Sequence, residues 1–168
     1  MDRLTLKKYH KSPFKEHKEF LEFYINDKPL SEQIDALYYS NKKSILDNWT
    51  GVLGTNKHHA EIVKVKQLLS KPVSDKEIRA IYAKLSDADF PYYLERTREE
   101  LANPEIIVYC CAECGDYDCG GVAITIDKTD QSVIWTVLES EKQPLRFEFE
   151  KYSYYDVLGV YLNQLLKR

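Results

Sequence analysis

Period-two alternation of apolar and polar side chains marks residues 19–26 and 106–149, with helical periodicity between these stretches and again at the end of the chain. In residues 19–26, Leu21, Phe23 and Ile25 fall on one face and Phe20, Glu22 and Tyr24 on the other, which predicts a strand. Asp27, Lys28 and Pro29 supply a turn, and Ser31 is placed to N-cap a short helix carrying Ile34, Leu37 and Tyr38 on one side. His58, Ile62, Val65 and Leu69 share a helical face that Lys71 and Pro72 bring to an end. Ser74 and Glu77 have the spacing of a capping box, opening a helix with Ile78, Ile81, Tyr82 and Leu85 as its apolar stripe. A further helix begins around Asp89 and Pro91, runs to Leu101 and closes at Asn103 and Pro104, so residues 57–102 read as a helical block.

Beyond residue 105 the period changes to two. Ile106, Val108 and Cys110 alternate with Ile107, Tyr109 and Cys111, and Val122, Ile124 and Ile126 with Ala123, Thr125 and Asp127. Val133, Trp135 and Val137, then Leu145, Phe147 and Phe149, repeat the pattern, with a turn expected over 128–131. Strands joined by short turns without crossover helices form an antiparallel meander. Ser153 and Asp156 then predict a cap for a last helix bearing Tyr155, Leu158, Leu162 and Leu165. The expected architecture is α+β: one domain over 1–168, with a four- to five-stranded antiparallel meander, the helical block at 57–102 and a C-terminal helix covering the sheet. Residues 1–18 lack sustained periodicity, although Leu4 and Leu6 suit a short strand. The stretch 41–56 reads as a loop anchored by a buried Trp49.

With 43% apolar and 30% charged residues in 168, the chain has the balance of a soluble globular domain. A formal charge of −3 argues against a dedicated nucleic-acid binder, which needs a clustered basic surface. Apolar runs are too short to cross a membrane, and the N-terminal segment lacks the apolar core of an export signal, so a cytoplasmic location is expected. There, cysteines serve as thiols or metal ligands more often than as disulfides.

Charge is unevenly distributed. Residues 1–18 carry six bases against two acids, whereas 87–119 carry nine acids against Arg96 and Arg98. An acidic segment of this kind can be the solvated face of a helix or can attract a basic partner. Tyr38–Tyr39, Tyr92–Tyr93 and Tyr154–Tyr155 can be core edges or interface anchors.

All four cysteines lie in 105–121, EIIVYCCAECGDYDCGG. Three readings of this turn compete. Cys111, Cys114 and Gly115 have the form of half a zinc knuckle, with Cys119 as a third ligand; Cys110 should point to the opposite strand face, and none of His10, His17, His58 or His59 has the spacing of a fourth. As a dithiol, Cys111 and Cys114 would lack the helix N-terminus that usually lowers a redox thiol's pKa. The third reading, favoured on sequence, is structural: glycines 115, 120 and 121 permit positive φ, Asp116 and Asp118 hydrogen-bond local amides, and the small cysteines pack against the sheet end.

Cys111, Cys114, Gly115, Asp116, Cys119 and Gly120, followed by Trp135 in a later strand, resemble the CxxCGDxxCG hallmark of a family of small bacterial proteins, mostly uncharacterised. The similarity covers 106 to about 139, and EFYINDKPLSEQI is similar to the opening strand and turn of such proteins. The resemblance implies that the motif lies between two strands, and members of that family have sometimes been labelled oxidoreductases.

No phosphate-binding loop, nucleophile elbow or paired-histidine metal motif is present in the sequence. The leading expectation is therefore a non-enzymatic immunity protein that binds and neutralises a cognate toxin domain, such as that of a contact-dependent growth inhibition effector. The partner would be basic, engaged through Asp87, Asp89, Tyr92, Tyr93, Glu95 and Glu99, with no nucleic acid or membrane involved. The alternative is a small zinc-binding or thiol-redox protein that uses Cys111, Cys114 and Cys119. No cofactor other than that zinc is expected.

Overall fold

A computed structural model of the chain describes residues 1–9, 19–38, 43–115, 118–137 and 143–168. Strands β5 (Ile106–Cys111), β6 (Gly121–Lys128), β7 (Ser132–Val137) and β8 (Leu145–Glu150) pair antiparallel in chain order, with β4 (Trp49–Gly51) completing a five-stranded sheet beside β5. The alternation in the sequence is the cause: Val133, Trp135 and Val137 are buried while Ile134 and Thr136, between them, stay half-buried. The turn between β6 and β7 closes with Thr129 N–H donating to the Ser132 carbonyl at 2.9 Å. The α+β meander expected from the sequence is thus the fold of this part of the chain.

A second, three-stranded sheet was not foreseen. It joins β1 (Leu4–Tyr9), β2 (Phe20–Ile25) and β3 (Lys28–Pro29). The tight turn between β2 and β3 sits one residue earlier than expected, because Asn26 and Asp27 take up positive φ of 54° and 64° and leave Lys28 and Pro29 to pair with Ile25 and Tyr24. Asparagine and aspartate are the non-glycine residues that tolerate this region best. Bridges from Asp2 to Phe149 and from Leu21 to Leu53 link the two sheets, so they curl towards each other. Both faces of β2 are consequently covered. Phe23 meets Trp135 of β7 edge-on at 5.3 Å, and Glu22, expected on the outer face of a half-buried strand, is fully buried.

Helix α1 (Leu30–Tyr38) begins before Ser31, whose hydroxyl is not a cap but a donor to Glu22 at 2.7 Å. The stretch expected as a loop holds a 3-10 turn at Ile45–Asp47, capped by Ser44, and then β4. Trp49 is only half-buried, and the anchoring expected of it falls to Ile45, Leu46, Val52 and Leu53. Helices α2 (His58–Leu69), α3 (Asp75–Ile81) and α4 (Phe90–Ala102) make up the helical block. Ser70 ends α2 in the left-handed region, and α3 stops at Tyr82, short of Leu85.

The Ser74–Glu77 capping box is formed in both directions, with the Glu77 amide donating to Ser74 Oγ at 3.2 Å. Ser74→Ala should lower unfolding stability by about 1 kcal/mol, measured by urea denaturation, because it leaves a helix N-terminal amide without its side-chain acceptor. At α5 (Lys151–Leu166) the expected Ser153–Asp156 cap is not used. The helix starts earlier, and the Glu150 carboxylate accepts from the amides of Tyr152 and Ser153 at 3.0 and 2.7 Å.

Helix α5 packs chiefly on α2 and reaches β1, β7 and β8. Its Tyr154 hydroxyl accepts from Trp135 Nε1 at 3.0 Å and donates to the Leu68 carbonyl of α2 at 2.5 Å, tying both helices to the large sheet. A second buried tie runs from Tyr161 of α5 to Glu61 of α2 at 2.5 Å. The other Glu61 oxygen accepts from the Thr55 amide at 2.7 Å, and Tyr161 accepts from the Gly54 amide at 3.2 Å. These bonds fix the segment between β4 and α2, and with it one wall of the cleft described next.

Candidate functional site

Strand β5 carries Cys110 and Cys111 on opposite faces, so Cys110 is buried and Cys111 only half-buried. Pairing of Trp49 with Cys111 and of Cys110 with Gly121 places the cysteine turn at the end of the sheet, beside β4. Gly121, at φ 150°, must be glycine: a Cβ there would stand 2.0 Å from the Tyr109 carbonyl oxygen. The turn is pinned on both sides. Gly115 N–H donates to the Cys111 carbonyl at 2.8 Å, Ala112 N–H to the Asn48 carbonyl at 3.0 Å, and Lys57 Nζ to the Gly115 carbonyl at 2.9 Å.

This scaffold brings together the three cysteines nominated by the sequence. The sulfurs of Cys111, Cys114 and Cys119 all lie within 4.8 Å of one another, and those of Cys114 and Cys119 are 3.2 Å apart. Cys114 and Cys119 are exposed, so the expectation that the small cysteines pack against the sheet end holds for Cys110 alone. The reason is the positive φ of Gly115 and Gly120, 65° and 90°, in a turn whose cysteines stay at the surface. Tetrahedral zinc with sulfur ligands at about 2.3 Å sets sulfurs about 3.8 Å apart. The trio brackets this spacing, with Cys114 and Cys119 about 0.6 Å too close for it and every pair within 4.8 Å. Among the described residues no histidine or carboxylate joins these three as a fourth ligand.

Electrostatics set the thiols apart. The amides of Cys114 and Glu113 donate to Cys111 sulfur, so its thiol is held below the ordinary range. Such amide donors stabilise a thiolate in the same sense as a helix N-terminus does. Cys119 is pushed up to about 12, foremost by its hydrogen bond with Cys114. Three sulfurs this close resist becoming three thiolates unless a positive ion balances them. Cys110 is raised by burial and belongs to the core.

The three thiols line an open cleft of about 850 Å³, walled by Asp47, Asn48, Trp49, Thr50, Thr55 and Lys57. None of these residues was legible as part of a site. They come from the segment between α1 and α2, which carries no motif, and meet the cysteines only because β4 pairs with β5.

The residues expected at a partner surface gather elsewhere, on α4 and the turn before it. Tyr92 and Tyr93 are 59% and 39% exposed, and Glu95 and Glu99 are exposed on the same helix. Asp89 hydrogen-bonds Ser86, and Asp87 pairs with Arg79 at 3.1 Å. Arg96 donates to the Tyr92 hydroxyl at 2.8 Å, and Arg98 pairs with Asp75, so basic groups interrupt the acidic run. Tyr93 packs on Tyr82 at 5.3 Å and Tyr82 on His59 at 5.1 Å, making a continuous aromatic row. His58 and His59 touch each other at 5.8 Å and stand outside the cysteine cluster. His10, His17, Tyr39 and Asp116 lie outside the described residues.

No helix among the described residues is long and apolar enough to cross a membrane. No protein-family model, curated protein or solved structure matches the chain.

Proposed function

We propose that this is a zinc-binding protein whose metal is held by Cys111, Cys114 and Cys119 at the mouth of the β4–β5 cleft. The observation that carries this reading is the convergence of three sulfurs within 4.8 Å on a turn that already donates amide hydrogens to one of them. Zinc prefers four ligands, and sites with three protein ligands leave the fourth position to water or an incoming molecule. Because the thiols line the cleft, that fourth ligand would come from the cleft side. Bound zinc would act there as a Lewis acid. The chain itself supplies the thiolates, and the amide donors and Lys57 hold their turn in place.

Elemental analysis tests the reading. About one zinc per chain is expected after exposure to zinc and desalting, falling at least about 100-fold in affinity in Cys111→Ser or Cys114→Ser, since structural sites depend on each thiolate. Less than about a tenth of an equivalent in the unaltered chain would overturn it.

A second reading is favoured by the exposed Tyr92 and Tyr93 beside Glu95 and Glu99. In it the chain is an immunity protein that neutralises a toxin domain through α4, with aromatic anchors supplying affinity and the acids speeding encounter with a basic surface. Family resemblance to the CxxCGDxxCG proteins belongs to the same reading. Its test is co-expression with the toxin domain encoded beside it. Protection should drop at least about tenfold in a Tyr92→Ala/Tyr93→Ala variant, and unchanged protection would remove α4 from the interface.

A further inference from the structure

Sequence spacing directs attention to Cys111 and Cys114 as a redox pair, whereas another pair stands at hydrogen-bond distance and is exposed at both sulfurs. Cys114 and Cys119 are 3.2 Å apart and both exposed. We propose that Cys114 and Cys119 are an oxidation site for hydroperoxides, closing to a disulfide that dismantles the metal site. A disulfide bond is about 2.05 Å long, so closure moves the two sulfurs together by about 1.1 Å. Gly115 and Gly120 follow the two cysteines directly, and both hold positive φ.

The step balances with hydrogen peroxide as oxidant. A thiolate sulfur of the pair attacks one peroxide oxygen, the O–O bond breaks with its electron pair leaving on the other oxygen as hydroxide, and a sulfenic acid forms while the hydroxide takes up the proton released when the thiol ionised and leaves as water. The second thiol of the pair then attacks that sulfenic sulfur, the S–S bond forms and the sulfenic oxygen departs as the second water. The two sulfurs together give up two electrons, and both peroxide oxygens end as water. Cys111 is left as the one remaining thiolate of the trio, and a single thiolate does not retain zinc. Cys110 takes no part because it is buried on the other face of β5.

Metal release rests on the zinc reading, whereas disulfide formation does not, and the two are tested in separate arms. In the first arm, metal-free protein is treated with hydrogen peroxide, alkylated and cleaved after Glu113, which parts Cys110 and Cys111 from Cys114 and Cys119. The expected product has lost two hydrogens within the second peptide alone. Cys110→Ala, on the buried face of β5, should oxidise within about twofold of the unaltered rate and Cys119→Ser at least about tenfold more slowly. Peptides linked across Glu113, or over-oxidised thiols in place of a disulfide, would overturn the assignment, as would equal rates in both variants.

In the second arm, zinc-loaded protein is oxidised in the presence of a chelating dye. Zinc should appear at the rate of disulfide formation. Disulfide formation with zinc retained would overturn the release step, while normal disulfide formation in a chain that never takes up zinc would overturn the zinc reading and leave the oxidation site standing.

Discussion

Trp135→Ala will lower the unfolding free energy by about 3–5 kcal/mol, the range of a large aromatic removed from a core that cannot collapse around it. Trp135 is fully buried in β7 and meets Phe23, Phe149 and Tyr154 edge-on at 5.3, 5.3 and 6.0 Å. One side chain thus joins the large sheet, the small sheet and α5. The substitution also takes away the indole donor to the Tyr154 hydroxyl, although that hydroxyl keeps its bond to the Leu68 carbonyl. Trp135→Phe keeps most of the ring contact and should cost about 1–2 kcal/mol. Urea denaturation followed by far-ultraviolet circular dichroism reads both values. A loss below about 1 kcal/mol for Trp135→Ala would mean that the three layers are not coupled through this residue.

Stability will fall as pH rises from about 5 to 7, and Glu22 is the cause. Its carboxyl accepts from Tyr109 at 2.5 Å, Ser31 at 2.7 Å and the Phe23 amide at 2.8 Å, but burial outweighs these donors and pushes it from 4.5 up to about 7. Between those two values the folded chain holds a proton that the unfolded chain has lost. The stabilisation is therefore complete below pH 4.5 and drains away as the pH approaches 7, for a total of about 3 kcal/mol.

Lys64 acts in the opposite direction at higher pH. Burial lowers its amine from 10.5 to about 8, against the attraction of Glu100 at 3.7 Å. The folded chain sheds this proton first, so the Lys64 contribution to stability recovers between about 8 and 10.5. A trough near pH 7 to 8 is expected in urea midpoints, with the Lys64 recovery read below pH 9, above which the raised Cys110 and Cys119 thiols act in the opposite sense. Glu22→Gln should remove the acidic limb of the trough and leave the alkaline limb, and an unchanged acidic limb in that variant would exonerate Glu22.

Those two residues show where the sequence was legible and where it was not. Alternation in 132–150 specifies β7 and β8 because one face of each strand meets the core and the other stays more open, so side-chain chemistry and environment agree. The capping box of α3 is equally readable, being local. Glu22 is not, since alternation assigns it to an outer face and only the second sheet, Ser31 of α1 and Tyr109 of β5 bury it. Lys64 sits among helical positions whose polar side chains are normally solvated, and only packing of α2 against α4, which brings Glu100 to it, and against β5 encloses it.

The site divides in the same way. Cys111, Cys114 and Cys119 could be nominated as metal ligands from spacing and glycines, because a turn of that length closes locally. Their walls could not be, because Asn48, Trp49 and Lys57 arrive through the long-range pairing of β4 with β5. Cys114 and Cys119, at 3.2 Å, are not the pair the CxxC spacing suggests, and each is followed by a glycine at positive φ.

The most direct measurement of the zinc account is the rate of thiol alkylation at each cysteine with and without one equivalent of zinc, resolved by mass spectrometry. In the metal-free chain Cys111 and Cys114 should label readily, Cys119 more slowly because its thiol is pushed up, and the buried Cys110 slowest. Zinc should slow Cys111, Cys114 and Cys119 together by at least about tenfold and leave Cys110 unchanged. Unchanged labelling, or protection of a single cysteine, would contradict a site built from the three.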